Sequence, residues 1–290
     1  MRFLPLLPIL LLAISGCRLH AGAPERPQPV VAGYSQDVEV DSERGRIRIT
    51  ELTRGLENPW SLALLPDGDM LVSERPGRLL KLDAKGNLLA QIEGLPTIFV
   101  DGQAGLLDVV PAPDFASSKL VYLSFAKPNL RGNLAGTAVF RARLEGNALV
   151  DGKVIYEQEP KLSSGTHVGS RLVFDGRGHL FVTQGENNKR PTAQDLDKLQ
   201  GKLVRLNLDG SIPADNPFVG REGVRPEIWS YGHRNMQGGA LNPWSGQVWT
   251  SEHGPKGGDE INIPEAGKNY GWPIITYGIN YNGEVIPEAS

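Results

Sequence analysis

Residues 170–186 read SRLVFDGRGHLFVTQGE: an apolar strand, a glycine-containing turn at Asp175-Gly176, and a second apolar strand that ends in polar residues. Two such runs joined by a tight turn are typical of a β-hairpin. The pattern recurs at 61–75 (SLALLPDGDMLVSER) and 239–252 (GALNPWSGQVWTSE), and more weakly at 110–126 (VPAPDFASSKLVYLSFA). The sequence therefore predicts a repeated hairpin rather than a set of unrelated strands.

The spacing of this repeat indicates a β-propeller. The four turns are about 50 to 70 residues apart, which is the spacing of four-stranded blades that carry insertions. Further strand pairs follow the first two hairpins, in 77–92 and 137–150. Blades cannot bury their faces alone, so they must pack on one another. We count about four blades and one preceding strand, in 46–52, within a domain predicted to span 46–290.

Composition agrees with an all-β fold. The 290 residues include 35 Gly and 22 Pro. Together these make up about one residue in five, whereas the average combined share of Gly and Pro is roughly 12%. Such a composition favours many short elements and turns. One exception is TAQDLDKLQG at 192–201, where Thr192 and Asp195 form a capping-box pattern before a stop at Gly201 and predict a short helix. A net charge of −3 argues against nucleic acid as a partner.

The N-terminus is typical of an exported lipoprotein. Residues 1–16 combine Arg2 with a twelve-residue apolar stretch, too short to cross a bilayer, which takes roughly 20 apolar residues. Small residues then precede Cys17, the only cysteine, which predicts an acylated terminus followed by a flexible tether to residue 45. This predicts anchoring to a membrane on the periplasmic side. The alternative is an ordinary signal peptide cut nearby, with Cys17 incidental.

Polar, glycine-rich segments at the ends of predicted strands are the candidate site, because propellers build their sites on such loops. They contain Gln103, His167 and the adjacent pair Arg234-Asn235, followed by the segment 251–273. That last segment is rich in acidic residues and glycine, and oxygen ligands at turns suit a hard cation such as calcium. Taken singly, each segment is also compatible with a structural turn.

Alternation in the predicted strand 259–263 places Glu260 and Asn262 on one face and Ile261 and Ile263 on the other. Glu260 is therefore expected to be able to bind a cation at the strand edge while the isoleucines pack. His233 and His253 do not predict a zinc site, because no third ligand accompanies them at a useful spacing.

Four ordered strings, HVGSRLVFDG, QDLDKLQGKLVRLN, EIWSYGHRNMQG and EHGPKGGDEINIPEAGKNYGWP, resemble the soluble dehydrogenases that use pyrroloquinoline quinone (PQQ), above all the periplasmic aldose sugar dehydrogenases. The resemblance runs from about Leu56 to the last residue. It implies a six-bladed propeller that binds PQQ and Ca²⁺ and oxidises aldose sugars at C1 to the lactone. The electron acceptor is not indicated.

The resemblance also implies residue roles. His167 matches the general base and Arg234 a second catalytic residue. The positions that hold PQQ match Gln103, Arg234, Asn235 and Tyr281. Backbone carbonyls of Gly254 and Pro255 match ligands of the calcium ion on PQQ, and Glu260 and Tyr270 match ligands of a second, structural calcium ion.

Two substitutions depart from the family pattern, Met236 for proline and Val168 for an aromatic residue, and both adjoin key positions. The family also continues for about two more blades that carry cationic residues. We therefore expect residues 18–290 alone to be aggregation-prone or only partly folded, and not to reconstitute activity with PQQ and calcium.

Two other functions fit a propeller. One is a calcium-dependent sugar lactone hydrolase, which needs several carboxylates from different blades around a central ion, whereas acidic residues cluster only in 251–273. The other is a non-catalytic propeller that binds glycans or proteins at the cell surface.

Overall fold

The computed structural model describes residues 30–32 and 37–289. The predicted signal peptide, Cys17 and most of the predicted tether therefore lie outside the described residues. Within the described ranges, no helix combines the length and apolar character that crossing a bilayer requires.

Nearly all regular structure is β. The strands are β1 (Val31–Ala32), β2 (Val38–Ser42), β3 (Gly45–Ile49), β4 (Thr53–Arg54), β5 (Pro59–Leu64), β6 (Met70–Glu74), β7 (Arg78–Leu82), β8 (Leu88–Gln91), β9 (Leu106–Pro111), β10 (Leu120–Pro128), β11 (Ala135–Glu145), β12 (Ala148–Glu157), β13 (Leu172–Phe174), β14 (His179–Thr183), β15 (Lys202–Asn207), β16 (Ile228–Tyr231), β17 (Met236–Leu241), β18 (Val248–Glu252) and β19 (Glu260–Asn262). A one-turn helix, α1 (Phe115–Ser118), and a 3₁₀ helix (Arg190–Ala193) complete the described elements.

Strands β5 to β19 form consecutive antiparallel meanders. The first, second and third blades are β5–β8, β9–β12 and β13–β16, and the fourth blade is β17–β18–β19. Each predicted hairpin joins the first two strands of a blade, and in the second blade α1 bridges that hairpin. The propeller prediction is confirmed.

The larger core clusters lie between neighbouring blades, and a smaller one, Met70, Val72, Leu80 and Leu82, lies on the first blade alone. One apolar cluster joins the first and second blades and includes Leu79 and Leu106. A second joins the second and third blades through Tyr122 and Leu180, and a third lies at the junction with the fourth blade and includes Phe181. Packing of this kind follows from blades whose two faces are both apolar.

A repeated hydroxyl group also links each blade to the next. It lies in the second strand, accepts an N–H from the first strand of its own blade or from the residue just before that strand, and donates to a carbonyl at the start of the following blade. The three cases are Ser73 (from Ser61, to Leu107), Ser124 (from Asp108, to Ser170) and Thr183 (from Arg171, to Met236). These buried bonds hold the inter-blade loops in place at one end of the propeller.

The predicted helix at 192–201 is wrong. The chain instead forms the 3₁₀ helix followed by turns. The Lys202 ammonium donates to the carbonyls of Thr192, Ala193 and Gln200, at 2.8, 3.1 and 2.7 Å. Because a side chain occupies those carbonyls, they do not form the hydrogen bonds of an α-helix. Thr192 Oγ1 donates to the Lys189 carbonyl and does not cap a helix. The tertiary contact with Lys202 has therefore overridden the local helix propensity of this segment.

The strand predicted at 46–52 forms, but as β3 in an exposed hairpin with β2. Apolar side chains are also exposed on the outer faces of the first and fourth blades. They include Leu64 (68% exposed) and Ile261 (74% exposed). The expectation that Ile261 and Ile263 pack is therefore wrong, because no described element covers that face of β19.

Candidate functional site

The loops that enter the second, third and fourth blades converge with the β18–β19 loop on one cleft of about 340 Å³. Of the residues predicted to form the site, seven line this cleft: Gln103, His167, Arg234, Asn235, Gly254, Pro255 and Tyr281. Segments far apart in the sequence are thus brought together. Glu260 and Tyr270 lie outside the cleft.

His167 is held in a conformation that few side chains adopt. Its φ is 48°, in the left-handed region, and its N–H donates to Gln103 Oε1 at 2.8 Å. A Cβ atom on Gly185 would overlap the His167 carbonyl oxygen, so glycine is required there. Strain of this sort persists only where surrounding contacts enforce it.

Glu186 is the functional residue that the sequence predictions missed. Its side chain is fully buried, and Oε2 lies 2.8 Å from His167 Nδ1. In a neutral imidazole, this pairing favours the tautomer with its proton on Nδ1 and leaves Nε2, which forms no hydrogen bond with a described residue, as the acceptor. The other Glu186 oxygen, Oε1, is buried without a partner. A signal was present, since the hairpin repeats end in glutamate at Glu74, Glu186 and Glu252.

Arg234 is a buried cation without a carboxylate partner among the described residues. Its Nη1 donates to the His253 carbonyl at 3.0 Å, its Cζ lies 5.4 Å from the centre of the Trp272 ring, and its buried Nε has no partner. An unpaired buried guanidinium is costly, which indicates that an anionic ligand completes its environment. The Arg234 carbonyl accepts the Glu186 N–H at 2.9 Å, so the two residues are also linked through the backbone.

Asn235 serves the loop more than the cleft. It is 2% exposed, and its Oδ1 accepts the Gly169 N–H at 3.1 Å. It therefore holds the loop of His167 in place.

The two departures from the family pattern are also well packed. Val168 and Met236 are both buried, and the backbone carbonyl of each accepts a hydrogen bond from a hydroxyl at 2.8 Å, from Thr137 and Thr183 respectively.

The β18–β19 loop offers oxygen ligands. The Gly254 N–H donates to Asp259 Oδ1 at 2.8 Å, and a Cβ atom on Gly254 would overlap the Gly257 carbonyl oxygen. Among the described residues, no donor reaches the carbonyl oxygens of Gly254 and Pro255. Unpaired carbonyl oxygens at a tight turn are ligands that a hard cation such as calcium accepts.

Glu260 and Tyr270 converge instead on His233. Glu260 lies opposite Glu252 across the β18–β19 pair, and Glu252 Oε2 is 3.2 Å from His233 Nδ1. The Tyr270 ring stacks on His233 with centroids 4.8 Å apart. Burial, together with the Glu252 charge, raises the pKa of Glu260. Its carboxylate would thus be favoured by a bound cation.

The Tyr270 hydroxyl is held by two backbone groups. It donates to the Ile263 carbonyl at 2.8 Å and accepts the Glu265 N–H at 2.9 Å. Across the described ranges, no group of three or more His, Cys, Asp or Glu residues is arranged to hold a metal ion. The first predicted calcium site thus offers the backbone carbonyls of Gly254 and Pro255, and the second offers the Glu260 carboxylate.

Comparison with known proteins agrees with this geometry. Residues 56–290 match the glucose/sorbosone dehydrogenase family. The chain is 55% identical to aldose sugar dehydrogenase YliI from Escherichia coli over 84% of this chain and 66% of that protein. It is 33% identical to quinoprotein glucose dehydrogenase B from Acinetobacter calcoaceticus, over 76% of this chain and 51% of that protein. The chain thus spans between half and two thirds of the length of these two relatives.

Solved structures show the same fold. The apo aldose sugar dehydrogenase of E. coli superposes with a TM-score of 0.79 at 57% identity, covering 81% of this chain and 68% of that one. The PQQ-bound aldose sugar dehydrogenase of Streptomyces coelicolor gives a TM-score of 0.68 at 32% identity, covering 80% and 66%. On the family match and these structural likenesses, the chain belongs to the glucose/sorbosone dehydrogenase family.

Proposed function

We propose that this protein oxidises aldose sugars at C1 to the lactone, with PQQ as the hydride acceptor, Ca²⁺ as its Lewis acid and His167 as the general base. The observation that carries the proposal is one cleft that holds both an imidazole with a free Nε2 and a buried, unpaired guanidinium. The first suits removal of a hydroxyl proton and the second suits an anionic cofactor.

The residues of the cleft fit PQQ, which carries carboxylates. The Nε of Arg234 has no partner and can donate to a carboxylate, and Gln103 and Tyr281 lie exposed at the same cleft. The carbonyls of Gly254 and Pro255 would hold Ca²⁺ beside it. When bound, PQQ supplies a quinone that accepts hydride, and the ion polarises the quinone oxygen.

The protein's own part is proton removal and alignment. His167 Nε2 takes the proton of the C1 hydroxyl as hydride leaves C1, so the sugar loses one hydride and one proton. Glu186 keeps the ring in the tautomer that exposes Nε2 and stabilises the imidazolium that forms. Support comes from relatives whose names describe aldose sugar dehydrogenases and a PQQ-bound form.

The test extends residues 18–290 by the C-terminal blades of an aldose sugar dehydrogenase, because residues 18–290 alone are not expected to reconstitute activity. PQQ and CaCl₂ are added to the purified extended protein, the absorbance of bound PQQ is recorded, and aldose-dependent reduction of an artificial dye is measured. Bound PQQ with dye reduction on glucose supports the proposal. Calcium-dependent hydrolysis of a sugar lactone without PQQ would support the hydrolase instead. Failure to bind PQQ while glycans or surface proteins bind would support a non-catalytic propeller.

We also propose that the protein is exported and anchored by acylated Cys17 on the periplasmic side of a membrane. The motif before Cys17 supports this, and two or more acyl chains hold a protein stably at a bilayer. Mass spectrometry of the mature N-terminus should find a lipid-modified Cys17. An unmodified terminus at another residue would contradict the anchor.

A further inference from the structure

The ring of Trp272 contacts two guanidinium groups. It is 4% exposed, and Arg234 Cζ and Arg190 Cζ lie 5.4 and 5.9 Å from its centre. The flat face of an indole attracts cations, most strongly where water is excluded. Among the described residues, one acceptor binds the Arg234 side chain, and the Trp272 ring is the aromatic group that it contacts.

Arg190 is itself firmly placed. It begins the 3₁₀ helix whose carbonyls, at Thr192 and Ala193, are bound by the buried Lys202 ammonium. Its Nη1 lies 3.6 Å from Glu288 Oε2, which balances its charge. Arg190 is therefore a paired, anchored cation, whereas Arg234 is an unpaired one.

Arg190 also contacts the loop that carries Tyr281. Its Nη2 donates to Asn280 Oδ1. Asn280 in turn shapes that loop, because its N–H donates to the Glu284 carbonyl at 2.8 Å and its Nδ2 to the Val285 carbonyl at 3.1 Å. The next residue, Tyr281, lines the cleft.

We propose that Arg190, which does not line the cleft, is a positioning residue for it: through the Trp272 ring it sets the guanidinium of Arg234, and through Asn280 it sets Tyr281. The proposal rests on the proposed function, in which Arg234 and Tyr281 contact PQQ. Two site elements that arise from different parts of the chain are thus oriented by one side chain.

The physical reason lies in how little else holds these two residues. Arg234 Nε has no partner, so the direction of its fork depends on the Nη1 bond and on the tilt of the ring below it. Tyr281 is 74% exposed, so its place depends on the backbone of its loop. Loss of Arg190 removes one contact from each branch at once.

The test uses the same extended protein and two measurements. The first is the NMR resonance of the Arg234 Nε–H, assigned with Arg234→Lys, which the current of the Trp272 ring shifts. The second is the dissociation constant for PQQ in CaCl₂, measured by equilibrium dialysis. The variants are Arg190→Ala, Arg190→Lys, Trp272→Leu, Asn280→Ala and the doubles with Arg190→Ala. Arg177→Ala, an exposed arginine beyond β13, is the control.

Arg190→Ala should move the Arg234 resonance and weaken PQQ binding about three- to tenfold, the scale of one cation–π contact with one charged hydrogen bond. Arg190→Lys should restore part of both, and Arg177→Ala should change neither. Each double variant should lose less than the sum of its singles, because the pairs act along one path.

An unmoved Arg234 resonance in Arg190→Ala, or strictly additive losses in both doubles, would overturn the positioning role. A moved resonance in a protein that binds no PQQ would leave the positioning of Arg234 standing and count against the proposed function. The two failures are therefore distinguishable.

Discussion

Two clefts built from the same residue types lie at opposite ends of β13. His167 precedes that strand, and Asp175 follows it. The site cleft, about 340 Å³, has His167 paired with Glu186 and Arg234 over Trp272. The distal cleft, about 360 Å³, is lined by His179, Asp175, Arg205 and Trp229. There His179 Nδ1 is 2.7 Å from Asp175 Oδ2, and Arg205 Cζ is 5.0 Å from the Trp229 ring centre.

The two clefts differ in how many of their polar atoms have no hydrogen-bond partner. Arg205 forms two bonds to Asp215, at 2.9 and 3.2 Å, and a third to Asn216. Its Nη2 also lies 3.0 Å from His179 Nε2, so that nitrogen is already engaged. In the site cleft, His167 Nε2, Arg234 Nε and one oxygen of Glu186 have no described partner.

Composition and cleft volume therefore do not separate a functional site from a structural one in this protein. Unsatisfied hydrogen-bonding capacity does distinguish these two clefts, because a buried polar group without a partner is costly unless a ligand completes it. The following variants, tested in a preparation that oxidises aldoses with PQQ and calcium, probe that distinction in matched pairs.

The largest contrast should come from the two histidines. His167→Ala should lower kcat about 10²- to 10⁴-fold, the usual cost of losing a general base, while PQQ still binds. His179→Ala should leave kcat within about twofold and affect mainly stability, because its Nε2 is already engaged by Arg205. Steady-state dye reduction measures both. Full activity in His167→Ala would refute the assignment of the base.

The two arginines should separate affinity from stability. Arg234→Ala should weaken PQQ binding about 10- to 100-fold, from loss of a charged hydrogen bond worth about 1.5–3 kcal/mol. Arg205→Ala should instead lower the free energy of unfolding by about 1–3 kcal/mol and leave PQQ affinity unchanged. Equilibrium dialysis and urea denaturation measure the two quantities. If Arg205→Ala weakened PQQ binding as much as Arg234→Ala does, the assignment of only Arg234 to the PQQ site would be wrong.

The carboxylates that pair with the two histidines, Glu186 and Asp175, should differ in the same direction, with a smaller effect on kcat. Glu186→Gln keeps an oxygen near His167 but loses the charge that stabilises the imidazolium, so kcat should fall about tenfold. The pH dependence of kcat should shift as well, because a neutral partner favours the neutral imidazole. Asp175→Asn should leave the pH profile unchanged, and an unchanged profile in Glu186→Gln would argue that Glu186 has only a structural role.

The smallest effect on the site should come from Lys202, a buried cation whose three carbonyl acceptors contrast with the single acceptor of Arg234. Burial lowers the pKa of Lys202 to about 7 from 10.5. Between those values the unfolded chain binds more protons than the folded one, so this residue makes stability rise with pH over that window. Lys202→Met should abolish that rise in urea denaturation at pH 7 to 10. A slope equal to wild type would contradict this.

Much of the fold could be predicted from the sequence because it depends on local periodicity. Alternating apolar residues around Asp175-Gly176 and its repeats define the hairpins wherever the chain goes. The helix predicted at 192–201 failed because Lys202, which follows it, binds its carbonyls from inside the protein. The prediction that Ile261 packs failed because alternation shows which face of the strand is apolar but not whether another element covers that face.

The candidate site divides in the same way. The sequence alone determined which segments carry it, since His167, Arg234 and Gly254 stand in recognisable strings, and these do meet in one cleft. Only the tertiary structure decided that Glu186 is the partner of His167, and that Arg234 rather than Arg205 remains unpaired. The reason is that residue types supply donors and acceptors, whereas three-dimensional packing decides which of them are already satisfied.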